Sequence, residues 1–339
     1  MGNDLHYFVN SNSCDGFVSF FKSNFSPLKM VIKLEDYPSK LLKTIADQVL
    51  ETAASGNYRI EVIHNCLDNT VEGAILPQFR TGFLNIPAYI DYGYSVTKLI
   101  DDDAVQQTKE HLIRSHRYFE QAKQIHDDWE KIYIANANYA DLNQFSQETI
   151  TKLLGSHTRN KKGSTVHRFF GAATEQGAVD YIQNLTADIG KRYFIKGRPG
   201  TGKSTFLKKL AERAVVNGFE AEVYHCAFDP GSLDMVAVRD LDFCLFDSTS
   251  PHEYFPDRES DEILDFYAVG VREGTDERFA EKLADIAAHY KDMMAKGRQE
   301  ITAANEIRLE RESLVEQEVN EEKAAQVTEK ILKKLFLKG

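Results

Sequence analysis

The stretch YFIKGRPGTGKSTFLKKLAE, residues 193–212, decides how this chain is read. Arg192 to Lys196 has the composition of a short buried strand. Thr205 to Val215 has that of a helix, with Phe206, Leu207, Leu210 and Ala214 on its inward face. Between them, Gly197-Arg198-Pro199-Gly200-Thr201-Gly202-Lys203-Ser204 fits the pattern GxxxxGK[ST]. Glycines permit positive φ and let the backbone approach a phosphate with no Cβ in the way. Successive N–H groups then converge on an anion, and the helix that follows adds its N-terminal partial positive charge. On this reading Gly197, Arg198, Gly200, Thr201, Gly202, Lys203, Ser204 and Thr205 bind ATP. Lys203 meets the β- and γ-phosphates, and the Ser204 hydroxyl is a ligand for Mg²⁺.

Such a loop needs a carboxylate near the metal, at the tip of a neighbouring buried strand. LDFCLFDSTSPHEYF (241–255) offers Asp247 after four apolar residues. Asp229, after the strand AEVYHC (221–226), is a candidate base or substrate contact, although Asp-Pro-Gly is also a strong turn signature. His225 reads as a hydrogen-bonded core residue. His252 and Glu253 read equally as groups that orient water or substrate and as loop surface. Arg198, Arg258 and Arg272 are candidate charge stabilisers that sequence does not rank. No NKxD element follows the loop, which favours adenine over guanine. Asp247 is followed by Ser248 and not by a water-polarising Glu, which favours slow hydrolysis or transfer over a fast motor.

An internal repeat extends this reading across the chain. HYFVNSNSCDGFVSFF (6–21) and HRFFGAATEQGAVDYI (167–182) align without a gap, His6 on His167 and Gly16 on Gly177, 161 residues apart. YRIEVIHNCLDN (58–69) and FEAEVYHCAFDP (219–230) keep the same offset, with Asp68 on Asp229. The first copy of the loop, inside KMVIKLEDYPSKLLKTIADQ (29–48), is about two residues shorter and has no glycine. Glu35 and Asp36 stand where phosphates would sit. GFLNIPAY (82–89) puts Ile86 or Pro87 where Asp247 belongs. Loop, metal serine and carboxylate are lost together, so nucleotide binding is expected in the second half only. Both halves end in helical sequence, from about Asp103 and through a seam at Phe279, Leu283, Ile286, Tyr290 and Met293. The seam is expected to pack on its own domain, with an intermolecular coiled coil as the alternative. The stretch 156–168 marks the boundary between domains 1–157 and 158–339.

The 339 residues, 42% hydrophobic, can bury a sizeable core, and the net charge of −11 does not favour nucleic acid. No apolar run reaches the ~18 residues of a membrane helix. The start MGNDLHYF has neither a signal peptide's basic, apolar pattern nor, with His6, a myristoylation signal. The four cysteines show no CxxC spacing and read as free thiols of a cytoplasmic chain.

Through GRPGTGKSTFLKKLAE, EVYHCAFDPGSLDMV and FDSTSPHEYFP, the chain resembles a family of tandem P-loop ATPases of Gram-positive bacteria, loosely described as nucleotide-kinase-like. HYFVNSNSCDGFVSFF echoes the family's start. The resemblance implies ATP binding through Gly197, Gly200, Gly202, Lys203, Ser204 and Thr205, and a Walker B role for Asp247. The family's first copy often keeps its own loop, and this sequence departs there. The expected fold is α/β: two P-loop NTPase-type three-layer α/β/α domains with long helical appendages. The expected function is Mg·ATP hydrolysis at the second domain. The alternatives are a kinase with Asp229 near a nucleotide or small hydroxyl acceptor, and a non-catalytic switch acting on a partner protein. Oligomerisation is left open.

Overall fold

A computed structural model describes residues 4–89, 102–316 and 321–336. The first three residues of the N-terminal stretch read above lie outside them. The first half runs β1 (Asp4–Tyr7), β2 (Asn10–Ser13), β3 (Gly16–Ser19), α1 (Phe21–Phe25), β4 (Met30–Glu35), α2 (Ser39–Ser55), β5 (Ile60–His64), β6 (Val71–Leu76), β7 (Thr81–Ile86), α3 (Asp103–Ile134) and α4 (Tyr139–Leu154). The second runs β8 (Ser164–Phe169), β9 (Gly171–Thr174), β10 (Gly177–Asp180), α5 (Ile182–Leu185), β11 (Lys191–Lys196), α6 (Lys203–Val216), β12 (Glu220–His225), β13 (Leu233–Val238), β14 (Phe243–Asp247), β15 (Glu262–Asp265), α7 (Phe266–Gly270), α8 (Thr275–Arg278), α9 (Ala280–Glu316) and α10 (Glu321–Leu335). The molecule is mixed α/β, and none of its described helices is long and apolar enough to cross a membrane.

Strand order repeats between the halves. The first sheet is β1-β5-β6-β7-β4, and the second is β8-β12-β13-β14-β11 with β15 added at the edge. In each, the strand before the loop lies parallel to the strand whose tip faces it: β4 to β7, β11 to β14. An antiparallel strand, β6 or β13, stands between two parallel ones. β13, which stands between β12 and β14, was not among the strands read from the sequence. Leu233, Met235, Val236, Ala237 and Val238 are all buried, as a central strand requires. Reciprocal bonds join the halves. Phe8 N donates to Phe169 O and Phe169 N to Phe8 O, each at 2.9 Å. Cys14 N donates to Phe228 O, and Glu175 N to Leu67 O. Reciprocal pairing of this kind is what an approximate two-fold axis produces.

Alternation along the strands sorts the core. Phe243 and Leu245 pack outward under α6 and α4, while Cys244 and Phe246 face a shared central cluster with Leu5, Tyr7, Ile63 and Leu84 of the first sheet. The third layer of each expected sandwich is therefore the other half, with α1 and α5 wedged between. The long helices also cross over. α4 packs on α6 and α7 of the second half, α10 packs on α2 and β7 of the first, and α3 and α9 pair along their lengths. The seam thus does not pack on its own domain alone: Tyr290 meets Trp129 and His126 of α3 as well as Phe228. The stretch KIYIANANY (131–139) holds the end of α3, a turn and the start of α4, whose first turn Asn138 caps through Ala140 N. The 157/158 boundary falls between α4 and β8. All four cysteines are free.

Between the sheets lies a buried ionic group. Arg168 Nη2 donates to Glu61 Oε2 at 2.8 Å, and its Nη1 stands 3.8 Å from Glu222 Oε1. The guanidinium lies 4.2 Å from the Tyr7 ring centroid. Tyr7 donates to Glu61, and Tyr224 and Arg239 donate to Glu222.

Two histidine pairs repeat with the fold. His6 Nδ1 and His64 Nε2 share a hydrogen bond at 2.8 Å, as do His167 Nδ1 and His225 Nε2. The other nitrogens of His64 and His225 face the carbonyls of Asn69 and Pro230. His225 is thus the hydrogen-bonded residue expected of it. Burial pushes His64 down to about 4, so the fold keeps it neutral while the unfolded chain takes up a proton near its ordinary value of about 6.5. Stability is therefore full above about pH 6.5 and falls as pH drops toward 4, by up to about 3 kcal/mol from His64. Urea unfolding at pH 7.5 and pH 4.5 checks this: the midpoint should fall in the wild type and fall less in His64→Gln.

Candidate functional site

The Gly197–Gly202 turn leaves the end of β11 and enters α6 through Gly202 at φ 86°. Gly200 also has positive φ, 76°, a conformation that L side chains rarely adopt. No side chain caps α6, so its first-turn amides face the turn. Lys203 is 9% exposed. Its Nζ donates to Arg198 O at 3.0 Å and stands 3.5 Å from Asp247 Oδ2. Asp247 Oδ1 accepts from Thr249 Oγ1, and Ser204 Oγ accepts from Leu233 N at 2.9 Å. Glycine turn, lysine, serine and strand-tip carboxylate are thus brought together.

Other sequence candidates stand elsewhere. Thr201 is buried, and its hydroxyl donates to Arg198 O, closing the turn from inside. Thr205 is exposed on the first turn of α6. The Arg198 side chain is drawn to Asp276, which Tyr133 also bonds, and lies over Tyr267. Arg258 donates to the carbonyls of Ile189 and Ala187 at the foot of β11, a structural tie. The Arg272 N–H donates to Asn136 O. His252 is bonded to Asp180, which Tyr254 also holds, and Glu253 lies 3.6 Å from Lys196. Asp229 accepts from the Ser232 hydroxyl at 3.3 Å and faces Lys123 Nζ at 3.8 Å.

Two contributions escaped the sequence reading. Asp234 on β13 and Asp247 on β14 each stand one residue beyond the Met235–Phe246 pair, and their carboxyls interact. Burial first, and then the Asp247 charge, push its carboxyl up to about 6. The other contribution comes from the first half. Lys123, His126, Asp127 and Glu130 lie on one face of α3, and the end of that face rests on the turn. A Cβ on Gly200 would meet Ile134 Cγ1 at 3.0 Å and Glu130 O at 3.1 Å, and Tyr139 donates to Gly200 O. The spacing in KQIHDDWE (123–130) carried the signal: four polar groups at helical intervals on a face that must otherwise be solvent or contact.

The first-half counterpart is filled by its own chain. Three residues, 36–38, separate β4 from α2 where six separate β11 from α6, a larger shortening than the two read from sequence. At the start of α2, Ser39 N donates to Glu312 Oε2 of α9 at 2.8 Å. Arg308 donates to Ser39 Oγ, to Glu312 and to Asp68. The Asp36 carboxylate, at φ 55°, meets Arg311 at 2.7 Å. Strand register corrects the Walker B alignment. Leu34 lies beside Asn85 as Ile195 lies beside Asp247, so the carboxylate's place belongs to Asn85, and neither to Ile86 nor to Pro87. The Asn85 amide bonds both the N–H and the carbonyl of Tyr37. A carboxylate thus occupies the helix N-terminus, and a neutral amide stands at the strand position that Asp247 holds in the second half. Compared with known proteins, the chain matches no family model, no curated protein and no solved structure.

Proposed function

We propose that the chain is a duplicated P-loop protein that binds Mg·ATP at the Gly197–Ser204 turn alone and hydrolyses it. The carrying observation is the convergence of Lys203, Ser204 and Asp247 on a turn whose helix start no side chain caps. The lysine, now held by Arg198 O, would turn to the β,γ-bridge, and the turn's amides would bond the phosphate oxygens. The residues fit a magnesium ion: an oxygen donor at Ser204, a carboxylate at Asp247 and a second carboxyl, Asp234, beside it. When bound, that ion would neutralise charge between the two terminal phosphates. The filled first-half turn supports a single site, because Glu312 already takes the amide that an anion would need.

A second reading, an ATP-dependent switch, is favoured by the packing of α3 on Gly200. Loop movement on binding would be passed to α3 and to α9 beside it. Purified protein with ATP and Mg²⁺, followed in parallel for binding, phosphate release and ADP formation, separates the readings. Hydrolysis gives equal ADP and phosphate, and a switch gives bound ATP without turnover. ADP with no free phosphate would move the reading to phosphoryl transfer, and no binding at all would end it.

A further inference from the structure

We infer that Glu130 of α3 is the base that takes the proton of the attacking water at the Gly197–Ser204 turn, so that the first half lends the second a catalytic carboxylate. The inference rests on the hydrolysis reading above. The residue after Asp247 is Ser248, and its hydroxyl is committed to Tyr254 O, so no group next to Asp247 takes the part. Asp247 and Asp234 adjoin Lys203 and the metal position. Of the acids on the opposite wall, Asp127 is ion-paired with Lys123, and Asp229 faces Lys123 and Ser232. Glu130 lies against the turn itself, its Cβ 3.4 Å from where a Gly200 Cβ would stand. Among the described residues its ion-pair neighbour is the His126 ring, at 3.8 Å.

Its reach is shown by the other half. Gly16 and Gly177, equivalent in the repeat, face His116 of α3 and Arg298 of α9, which sets the two helices in register 182 residues apart. In that register Ala122 matches Ala304, both buried, and Glu130 matches Glu312. Glu312 does reach the first amide of the helix after its loop. A glutamate at this position therefore spans to where, in the second half, the γ-phosphate and its water would stand. Burial raises the proton affinity of Glu130, with Asp127 and Asp229 acting in the same sense and Lys123 and Lys203 against it. That direction suits a proton acceptor. His126 Nδ1, buried without a hydrogen-bond partner, is placed to orient the carboxylate.

In the step, the water oxygen bonds to the γ-phosphorus while the bond from that phosphorus to the β,γ-bridging oxygen breaks. The water proton goes to the Glu130 carboxylate, Lys203 meets the charge on the leaving oxygen, and the products are ADP and inorganic phosphate. The test compares wild type, Glu130→Gln, Glu130→Ala and, as a control on the solvent side of α3, Asp128→Asn. Equilibrium dialysis with ATP and single-turnover hydrolysis are measured on each. Glu130→Gln should bind ATP within about threefold of wild type and hydrolyse it about 100-fold more slowly. Asp128→Asn should match wild type, and added formate should raise the Glu130→Ala rate. Hydrolysis by Glu130→Gln within about threefold of wild type overturns the inference, as does formate without effect on Glu130→Ala. Lost ATP binding in Glu130→Gln would make Glu130 a packing residue of the turn and overturn it too. If wild type itself binds no ATP, the failure lies in the nucleotide reading.

Discussion

Lys203→Ala is expected to lose ATP binding and turnover together. The ammonium is held almost out of solvent between Arg198 O and the Asp247 carboxylate. Among the described residues, the basic side chains flanking the turn are engaged elsewhere. Arg198 is committed to Asp276, Arg258 to carbonyls at the foot of β11, and Lys196 to the carbonyls of Ser248 and Tyr254. A charge-assisted bond to phosphate is worth about 1.5–3 kcal/mol in binding. Its loss where charge develops in the transition state costs a further factor of about 100 to 1,000 in rate. Dialysis with ATP and a phosphate-release assay, run on a variant whose circular dichroism matches wild type, check both. Turnover within about tenfold of wild type would remove the assigned role of the turn.

The second large effect is on stability. Replacing Arg168 by Met should destabilise the protein by about 3–5 kcal/mol, because Glu61 would stay buried without the guanidinium that bonds it, while Glu222 keeps Arg239. Burying the ion pair is itself expensive, so the replacement is not expected to hurt once the Glu61 carboxylate goes as well. Adding Glu61→Gln should recover most of the loss. Urea unfolding at pH 7.5, where His64 is neutral in both folded and unfolded chains, gives the numbers free of the histidine contribution. A single-variant loss below about 1 kcal/mol would mean that the guanidinium is solvated and that the halves are held chiefly by the apolar cluster around it.

What the sequence made legible was local. The glycines of 197–202, the apolar strand before them and the helix after them are dictated by residues within a few positions of one another. The repeat at 161 residues was legible because strand chemistry survives loop changes. Less local features were not. An inward-facing seam on α9 states that something covers it and leaves open whether that is its own half or the other. The counterpart of Asp247 was misplaced at Ile86 or Pro87 because β7 carries a register one residue away from the offset of β4, visible only when the strands are paired. Glu312 at the start of α2 depends on a contact between residues 273 positions apart. No spacing rule reaches that far.

The crossing of the helices bears on how the chain is made. The cluster under α2 is completed by Ile331 and Leu335 of α10, and Thr81 bonds to the Leu335 carbonyl. A ribosome would release the first sheet long before the segment that roofs it has been synthesised. The nascent protein must therefore wait, with Phe83 and Val49 awaiting their lid, until α10 has been synthesised. Premature termination anywhere in α10 would thus injure the opposite end of the polypeptide.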